Sequence, residues 1–354
     1  MKGDDVRQPF AIACMIALAG LHCASAHAAS EFKIVTASER GTYIQIGRDI
    51  ATIVAPQADI NLEVLPSAGS GQNVKRLRYE QGVKLAIVQS DVYQAFLDLA
   101  RSGNRESGEI IRPLRVVMPL YNEEIYFVAR ADSPLNYVHE IRTARINAGE
   151  LGSGTAQTTS TLYRLMFGEA MPEARTTFLN NEDALLKLIG DKSVDVVAIV
   201  AGQPAKLLAD MKPEARQLIK LLKVDPANAA MRSALRTYFP ATVRAASYPN
   251  LLTEDVPGVA VRAFLVTYDY NLDQTKKALT RLAQSLCQNF PTLQAKGHPK
   301  WREVEMKLPE LGRGWSYYRP TKVELDACVR QTVAKAPRRV RECTQQERIL
   351  GLCS

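Results

Sequence analysis

The sequence predicts an α/β protein of two lobes joined by two extended crossings, and three observations lead there. Short β-branched runs alternate with segments of helical spacing along most of the chain. The turns between them carry glycine and serine. Two long apolar stretches, "EIYFVARADSP" and "VPGVAVRAFLVT", interrupt the alternation and resemble each other. Strand–loop–helix units in series imply a parallel sheet with helices on its faces.

The elements follow in order. "FKIVTAS" reads as a strand, and "ERGTY" breaks it before Ile46, Ile50, Ile53 and Val54, which recur at helical spacing. "INLEVLP" alternates apolar and polar residues, as a half-buried strand does, and "SAGSGQ" ends it. Val74, Leu77 and the residues to Tyr79 suit a short helix. "KLAIVQS" is a buried strand, and Asp91 is placed to cap a helix through Leu99. "LRVVMPL" is a fourth strand. "EIYFVARADSP" then runs extended to Ser133-Pro134, since proline turns its predecessor away from helix.

A second series begins with "ARINAG" as a strand and "ELGSGTAQTTS" as a glycine-rich loop. Leu162 to Phe167 lie within a helix, and Asn181 to Ile189 form another. "VDVVAIVAG" is a strand, and Gln203-Pro204 starts the next helix, where proline is tolerated. "LIKLLKVD" is a strand, followed by a helix near Ala227 to Thr237. After "VPGVAVRAFLVT" comes a helix from Asp273 to about Phe290. Residues 29–128 with 264–318 are then expected as lobe I, 129–263 as lobe II, and 319–354 as a basic, cysteine-bearing C-terminal extension. The cleft between the lobes is the natural ligand site.

The ends and the charge add a compartment. Lys2 and Arg7 precede an apolar run from Phe10 to about Gly20, and Ala26-His27-Ala28 fits the small-x-small cleavage pattern of a secretory signal peptide. Residues 1–28 are therefore expected to be removed, and the mature protein to be exported to the periplasm. A membrane-anchored N-terminal helix is the alternative, although the apolar run is short for a span. Cys23 follows "GLH", which lacks the small residues of a lipid-attachment site. Cys14 and Cys23 leave with the signal, so Cys287, Cys328, Cys343 and Cys353 remain. An even count in an exported protein is consistent with disulfides. Three pairings are open. Cys287–Cys328 with Cys343–Cys353 is favoured, because the last two close a short loop. The formal charge is +8 over 354 residues, with eight basic and four acidic residues from Arg319 onward. Such a balance favours anionic ligands or an anionic surface, or simply keeps a solvated face soluble. No aromatic-interleaved basic motif points to nucleic acid, and a monomer is expected.

Four glycine- or serine-bearing breaks sit at strand-to-helix junctions: Ser38 to Tyr43, Ala68 to Asn73, Gln89 to Asp91 and Gly152 to Thr155. Helix N-termini there present unpaired N–H groups and partial positive charge, an anion site that needs no metal or cofactor. Ser70, Ser90, Ser153 and Thr155 add hydroxyls. "GSGQNV" and "GSGTAQ" both begin G-x-G without the third glycine, and no GxxxxGK[ST] occurs, which weakens a nucleotide reading. Catalysis has less support. The mature chain keeps two histidines, His139 and His298, and no HExxH, CxxC or GxSxG. Glu123-Glu124 and Glu182-Asp183 read as a strand edge and a helix first turn.

Several segments resemble one family. "ERGTYIQIGRDIA" resembles the "GGTYYPIG" opening of the TAXI solute receptors, which serve tripartite ATP-independent periplasmic (TRAP) transporters. "AGSGQNVKRL", "LAIVQSDV", "GSGTAQTTSTLY", "VVAIVAGQPAKLL" and "SYPNLLTEDVPGVAVRAFLVT" are similar to further segments of that family, in order, from about Phe32 to Leu293. The resemblance implies a periplasmic binding protein of the second structural type, with lobes that close over an organic anion such as a dicarboxylate, a 2-oxo acid or an acidic amino acid. It implies TRAP membrane subunits as partners and no enzyme activity. By motif, Thr42, Tyr43, Ser70, Asn73, Gln89 and Ser90 would line the first lobe, and Gly154, Thr155, Gln203 and Tyr248 the second. Tyr43 alternatively packs, and Asn73 alternatively caps its helix. Glu39-Arg40 stands where glycines are more usual. Arg40 could pair a ligand carboxylate bidentately, sit on Glu39 or face solvent. Residues beyond about Trp315 lie outside the pattern. A periplasmic sensing module of the same fold, signalling to a membrane kinase, stays open as the alternative.

Overall fold

The computed structural model describes residues 29–39, 41–311 and 314–335. The expected signal peptide, Arg40, Cys343 and Cys353 lie outside the described residues.

The chain opens with β1 (Ser30–Val35), α1 (Thr42–Asp49, continued by a π turn over Ile50–Val54), β2 (Ile60–Leu65), α2 (Ser70–Tyr79), β3 (Val83–Gln89), α3 (Val92–Arg101) and α4 (Arg105–Ile111). The 17-residue β4 (Leu114–Arg130) then crosses into the second lobe. That lobe holds β5 (Ile146–Asn147), α5 (Gly154–Phe167), β6 (Thr176–Thr177), α6 (Asn181–Ile189), β7 (Val196–Ala201), α7 (Lys206–Ala209), α8 (Ala215–Leu218), β8 (Ile219–Leu221), α9 (Ala229–Ala234) and β9 (Phe239–Val243). The second crossing, β10 (Val256–Tyr268), returns the chain to lobe I, which is completed by α10 (Asp273–Lys296) and α11 (Arg319–Lys335).

The strand order is β2-β1-β3-β10-β4-β7-β5-β6, with β8 on β4 and β9 on β10. The sheet is mixed, where sequence alone suggested a parallel one. β1 pairs in parallel with β2 and β3, and β5 with β6 and β7. The two crossings run antiparallel to each other and to their flanking strands. "LRVVMPL" and "EIYFVAR" are one strand and not two: β10 pairs along it from Leu114 to Ile125, and β7 and β8 take over from Glu124 to Arg130.

Each lobe is a three-layer sandwich with a core on either sheet face. In lobe I, Ile34, Ile46, Leu85, Leu265 and Leu286 form one core with Trp301, and Val35, Val74, Val88, Phe96 and Phe264 form the other. In lobe II, Phe127, Leu162 and Tyr238 share one core, and Tyr126, Leu188 and Tyr248 the opposite one. The alternation of Ile125 and Phe127 against Tyr126 and Val128 follows the two-residue period of a strand. Along β4 the cores change between Tyr121 and Ile125, and along β10 between Val261 and Ala263. Both hinges therefore lie side by side at mid-strand. α11 begins the expected C-terminal extension and packs on α10, with Leu325 in the lobe I core. Cys287 of α10 and Cys328 of α11 are joined by a disulfide.

Candidate functional site

The carboxyl ends of the parallel strands in both lobes face one cavity of about 350 Å³. Ligand pockets run from about 300 to 1,000 Å³, so this one suits a small metabolite. Lobe I contributes the turn before α1, the Ser67–Ser70 turn before α2, Gln89 at the end of β3 and Glu123 on β4. Lobe II contributes Glu150, the Ser153–Thr155 turn before α5, Asn180–Glu182 at the start of α6, the end of β7 and Lys206.

Four helices of eight residues or more start at this cavity: α1, α2, α5 and α6. Each carries roughly half a positive charge at its N-terminus. The two glycine loops explain how so many starts fit together. Gly69 has φ 122°, a left-handed conformation that side chains rarely adopt. A Cβ on Gly71 would stand 2.7 Å from the carbonyl oxygen of Gly152, and one on Gly154 would stand 1.9 Å from Gln89 Oε1. The loops therefore touch across the lobes, and only glycine permits that approach.

The floor is a hydrogen-bonded network from lobe I. The Tyr43 hydroxyl donates to Glu123 Oε2 at 2.6 Å. Ser70 Oγ donates to Gln89 Oε1 at 3.2 Å and accepts from the Gln89 amide at 3.0 Å. Burial, reinforced by the neighbouring Glu123, holds the Tyr43 hydroxyl well above the usual tyrosine range. Burial also pushes the Glu123 carboxyl up to about 8, against the hydrogen bond from Tyr43 and the charge of Lys300. Glu39 at the rim is paired to Arg48 at 2.7 Å, and exposed Lys206 pairs with Asp210.

Thr42, Tyr43, Ser70, Gln89, Gly154 and Thr155 all line the cavity. Asn73, Ser90, Gln203 and Tyr248 do not. Asn73 is fully buried beneath the floor, donating to the carbonyls of Thr36 and Ile87, and so it neither caps α2 nor reaches the cavity. Ser90 is held by its backbone between Arg262 and Trp315. Gln203 bonds the backbone of Thr242 and Arg244. Tyr248 lies in a lobe II core, where its hydroxyl meets Tyr126 and accepts from the Ala205 amide. Asp91, placed to cap α3, makes no capping bond with its side chain. Its carboxylate crosses to lobe II, accepting from Thr158 at 2.7 Å and Tyr238 at 2.9 Å.

Sequence reasoning missed Glu150, Asn180 and Lys206 at the exposed side of the cavity and, at its buried floor, Glu123. The pair Glu123-Glu124 is no strand edge: both are buried at the hinge, 3% and 6% exposed. A signal was present, since two carboxylates interrupt a 17-residue strand that is otherwise mostly apolar, and buried carboxylates require partners. Among the described residues, no group of histidine, cysteine or carboxylate side chains could hold a metal ion, and no helix is long and apolar enough to cross a membrane.

Solved structures of similar shape include the periplasmic binding protein BugD, at 13% identity over 85% of this chain and 94% of that one, with a TM-score of 0.49. Another is the substrate-binding protein of an amino acid ABC transporter, at 14% identity over 76% and 99%, with a TM-score of 0.43. A third is the alkanesulfonate-binding protein SsuA from Xanthomonas axonopodis pv. citri bound to MOPS, at 13% identity over 84% and 83%, with a TM-score of 0.43. All three scores fall below 0.5, and the architecture stands on its own strand order and paired cores. The NMT1-like family model matches residues 34–311, most of the chain, and the protein belongs to that family.

Proposed function

We propose that this protein is an extracytoplasmic solute receptor whose lobes close over a small organic anion and deliver it to TRAP membrane subunits. The ligand is a dicarboxylate, a 2-oxo acid or an acidic amino acid. The protein works in the periplasm as a monomer after loss of residues 1–28. Its work is binding and not chemistry.

The observation that carries this reading is the convergence of four helix N-termini, two from each lobe, on one small cavity. Fixed N–H dipoles there favour a carboxylate without a counter-ion. A charge shared between two lobes is held best when the lobes meet, so the ligand favours the closed arrangement by its extra contacts. Three of the TAXI-like motifs fall on the starts of α1, α2 and α5, which supports a receptor of the TRAP type.

Native mass spectrometry of the protein as purified tests the reading. The expected result is a bound species that dissociates as a small organic acid and is displaced by added dicarboxylate, 2-oxo acid or acidic amino acid. A retained neutral sugar or cation, indifferent to those acids, would overturn it.

A further inference from the structure

We propose that Glu123 contacts the bound anion as a hydrogen-bond donor, presenting a neutral carboxyl group to the ligand's carboxylate and so linking binding to a proton. This rests on the receptor reading above.

The geometry begins with the strand. Neighbouring residues on a strand face opposite sides, and Glu123 and Glu124 do so at the hinge. Glu124 turns to Lys300, whose Nζ lies 3.3 Å from both its oxygens, and accepts from the Gln203 amide at 2.8 Å. Glu123 turns to the cavity and has no ion pair among the described residues. Among the described residues, the cation beside the two carboxylates is Lys300, and Glu124 holds it.

The surroundings of Glu123 are as follows. Tyr43 from α1 donates to Oε2. Gln89 from β3 reaches the same carboxyl. Tyr121 and Glu124 flank it on β4, and its cross-strand partner on β10 is apolar Val261. Lys300 and Glu303, on the 3₁₀ turn Pro299–Glu303, bond each other at 2.7 Å, so that Glu303 offsets part of the lysine's charge. Burial then pushes the group up to about 8, and the protonated form prevails at neutral pH.

An ionised Glu123 would stand against the incoming carboxylate in a desolvated site. Like charges so placed force one of the two to keep its proton. A neutral Glu123 instead receives the Tyr43 hydroxyl on one oxygen and has its own O–H to give. The direction of the pH effect follows. Only the protonated form is competent, so affinity is level well below the free protein's value and weakens as pH rises through it. With that value at about 8, the Kd at about pH 9 is expected to be roughly tenfold weaker than at about pH 7.

Calorimetric titration with succinate, 2-oxoglutarate and L-glutamate over about pH 6.5 to about pH 9 tests this. Whichever probe binds should lose about tenfold in affinity across that rise, and at about pH 8 should take up about half a proton per ligand, read from buffers of different ionisation enthalpy. The E123Q variant donates but cannot ionise, so it should flatten the slope and abolish the uptake. Its melting transition reports that it is folded. A wild-type Kd that is independent of pH overturns the proton linkage and leaves the receptor reading standing. An affinity that rises with pH also overturns it, by assigning ionised Glu123 to a ligand cation. An equal slope in E123Q does so too. If none of the three acids binds at any pH, both proposals fail.

Discussion

The two lobes present their helices to the cavity in different ways. In lobe I, α1 and α2 begin after Gly41 and Gly69, which offer no side-chain cap. In lobe II, α5 and α6 begin after Ser153 and Asn180, and both residues do cap. Ser153 Oγ accepts from the Ala156 amide at 3.0 Å, and Asn180 Oδ1 from the Asp183 amide at 2.8 Å. An N-terminal cap satisfies one of the amides that a helix leaves unpaired. Lobe II therefore answers part of its own polarity, while lobe I leaves those donors to a ligand. The lining differs in part: in lobe I Thr42, Tyr43, Ser70, Gln89 and Glu123 are buried and Ser38 and Glu39 at the rim are exposed, whereas lobe II sets exposed Glu150, Asn180, Glu182 and Lys206 beside buried Ser153, Gly154, Ile199 and Ala205. Lobe I is a preset floor, and lobe II is the wall that closes on it. Preorganisation of the floor keeps the ordering cost of binding low.

Changes to either lobe can break this contrast. The largest effect is expected at the disulfide, which fastens α11 to α10 behind the floor, with a sequence separation of 41. C287S should lower unfolding stability by about 4 kcal/mol, the loop-closure value for that length. Denaturant titration would check it. A loss confined to lobe I amides in hydrogen exchange would agree with a floor stapled by itself.

Next comes the contact between the glycine loops. In G71A the new Cβ meets a backbone oxygen of the other lobe, so closure is obstructed while α2 gains a better helix former. Affinity should fall about tenfold to a hundredfold, or about 1.4–2.7 kcal/mol. The melting temperature of the ligand-free protein should hold or rise. Calorimetry beside a thermal melt separates the two, and parallel losses would mean that the loops matter for folding and not for closure.

Smaller effects test the caps. S153A and N180A should each remove about 1 kcal/mol of stability, with less loss of affinity than S70A, whose hydroxyl joins the floor network. The reverse ranking would dissolve the distinction between the lobes. T155A is expected to weaken binding a few-fold, about 0.5–1 kcal/mol for one hydrogen bond, as equilibrium titration would show.

What was legible in the sequence was local. β1, β2, β3, α6 and β10 follow from periodicity over a few residues, and the glycine loops fall on the helix starts. Some elements were not legible, among them the two-residue β6 and the single turn of α8. α4 and β9 lack a clear period, and α11 lies outside the resemblance, held by a core contact and a disulfide to α10. Side-chain roles fared by distance. Thr42, Ser70 and Thr155 stand in helix first turns, where direction is set by the backbone. Glu123 and Asp91 are defined by partners 67 to 147 residues away, and no local pattern encodes those. Asn73, Gln203 and Tyr248 carry the polar groups of a site but spend them on backbone and core. Their hydrogen-bond partners, and not their residue type, decide their role.

The central claim is that helix starts from both lobes grip one organic anion. Thermal shift of the wild-type protein against dicarboxylates, 2-oxo acids, acidic amino acids, neutral sugars and polyamines addresses it most directly. One class of acid should raise the melting temperature, with S70A diminishing the rise. Stabilisation by sugars or polyamines alone, with every acid inert, would contradict the account.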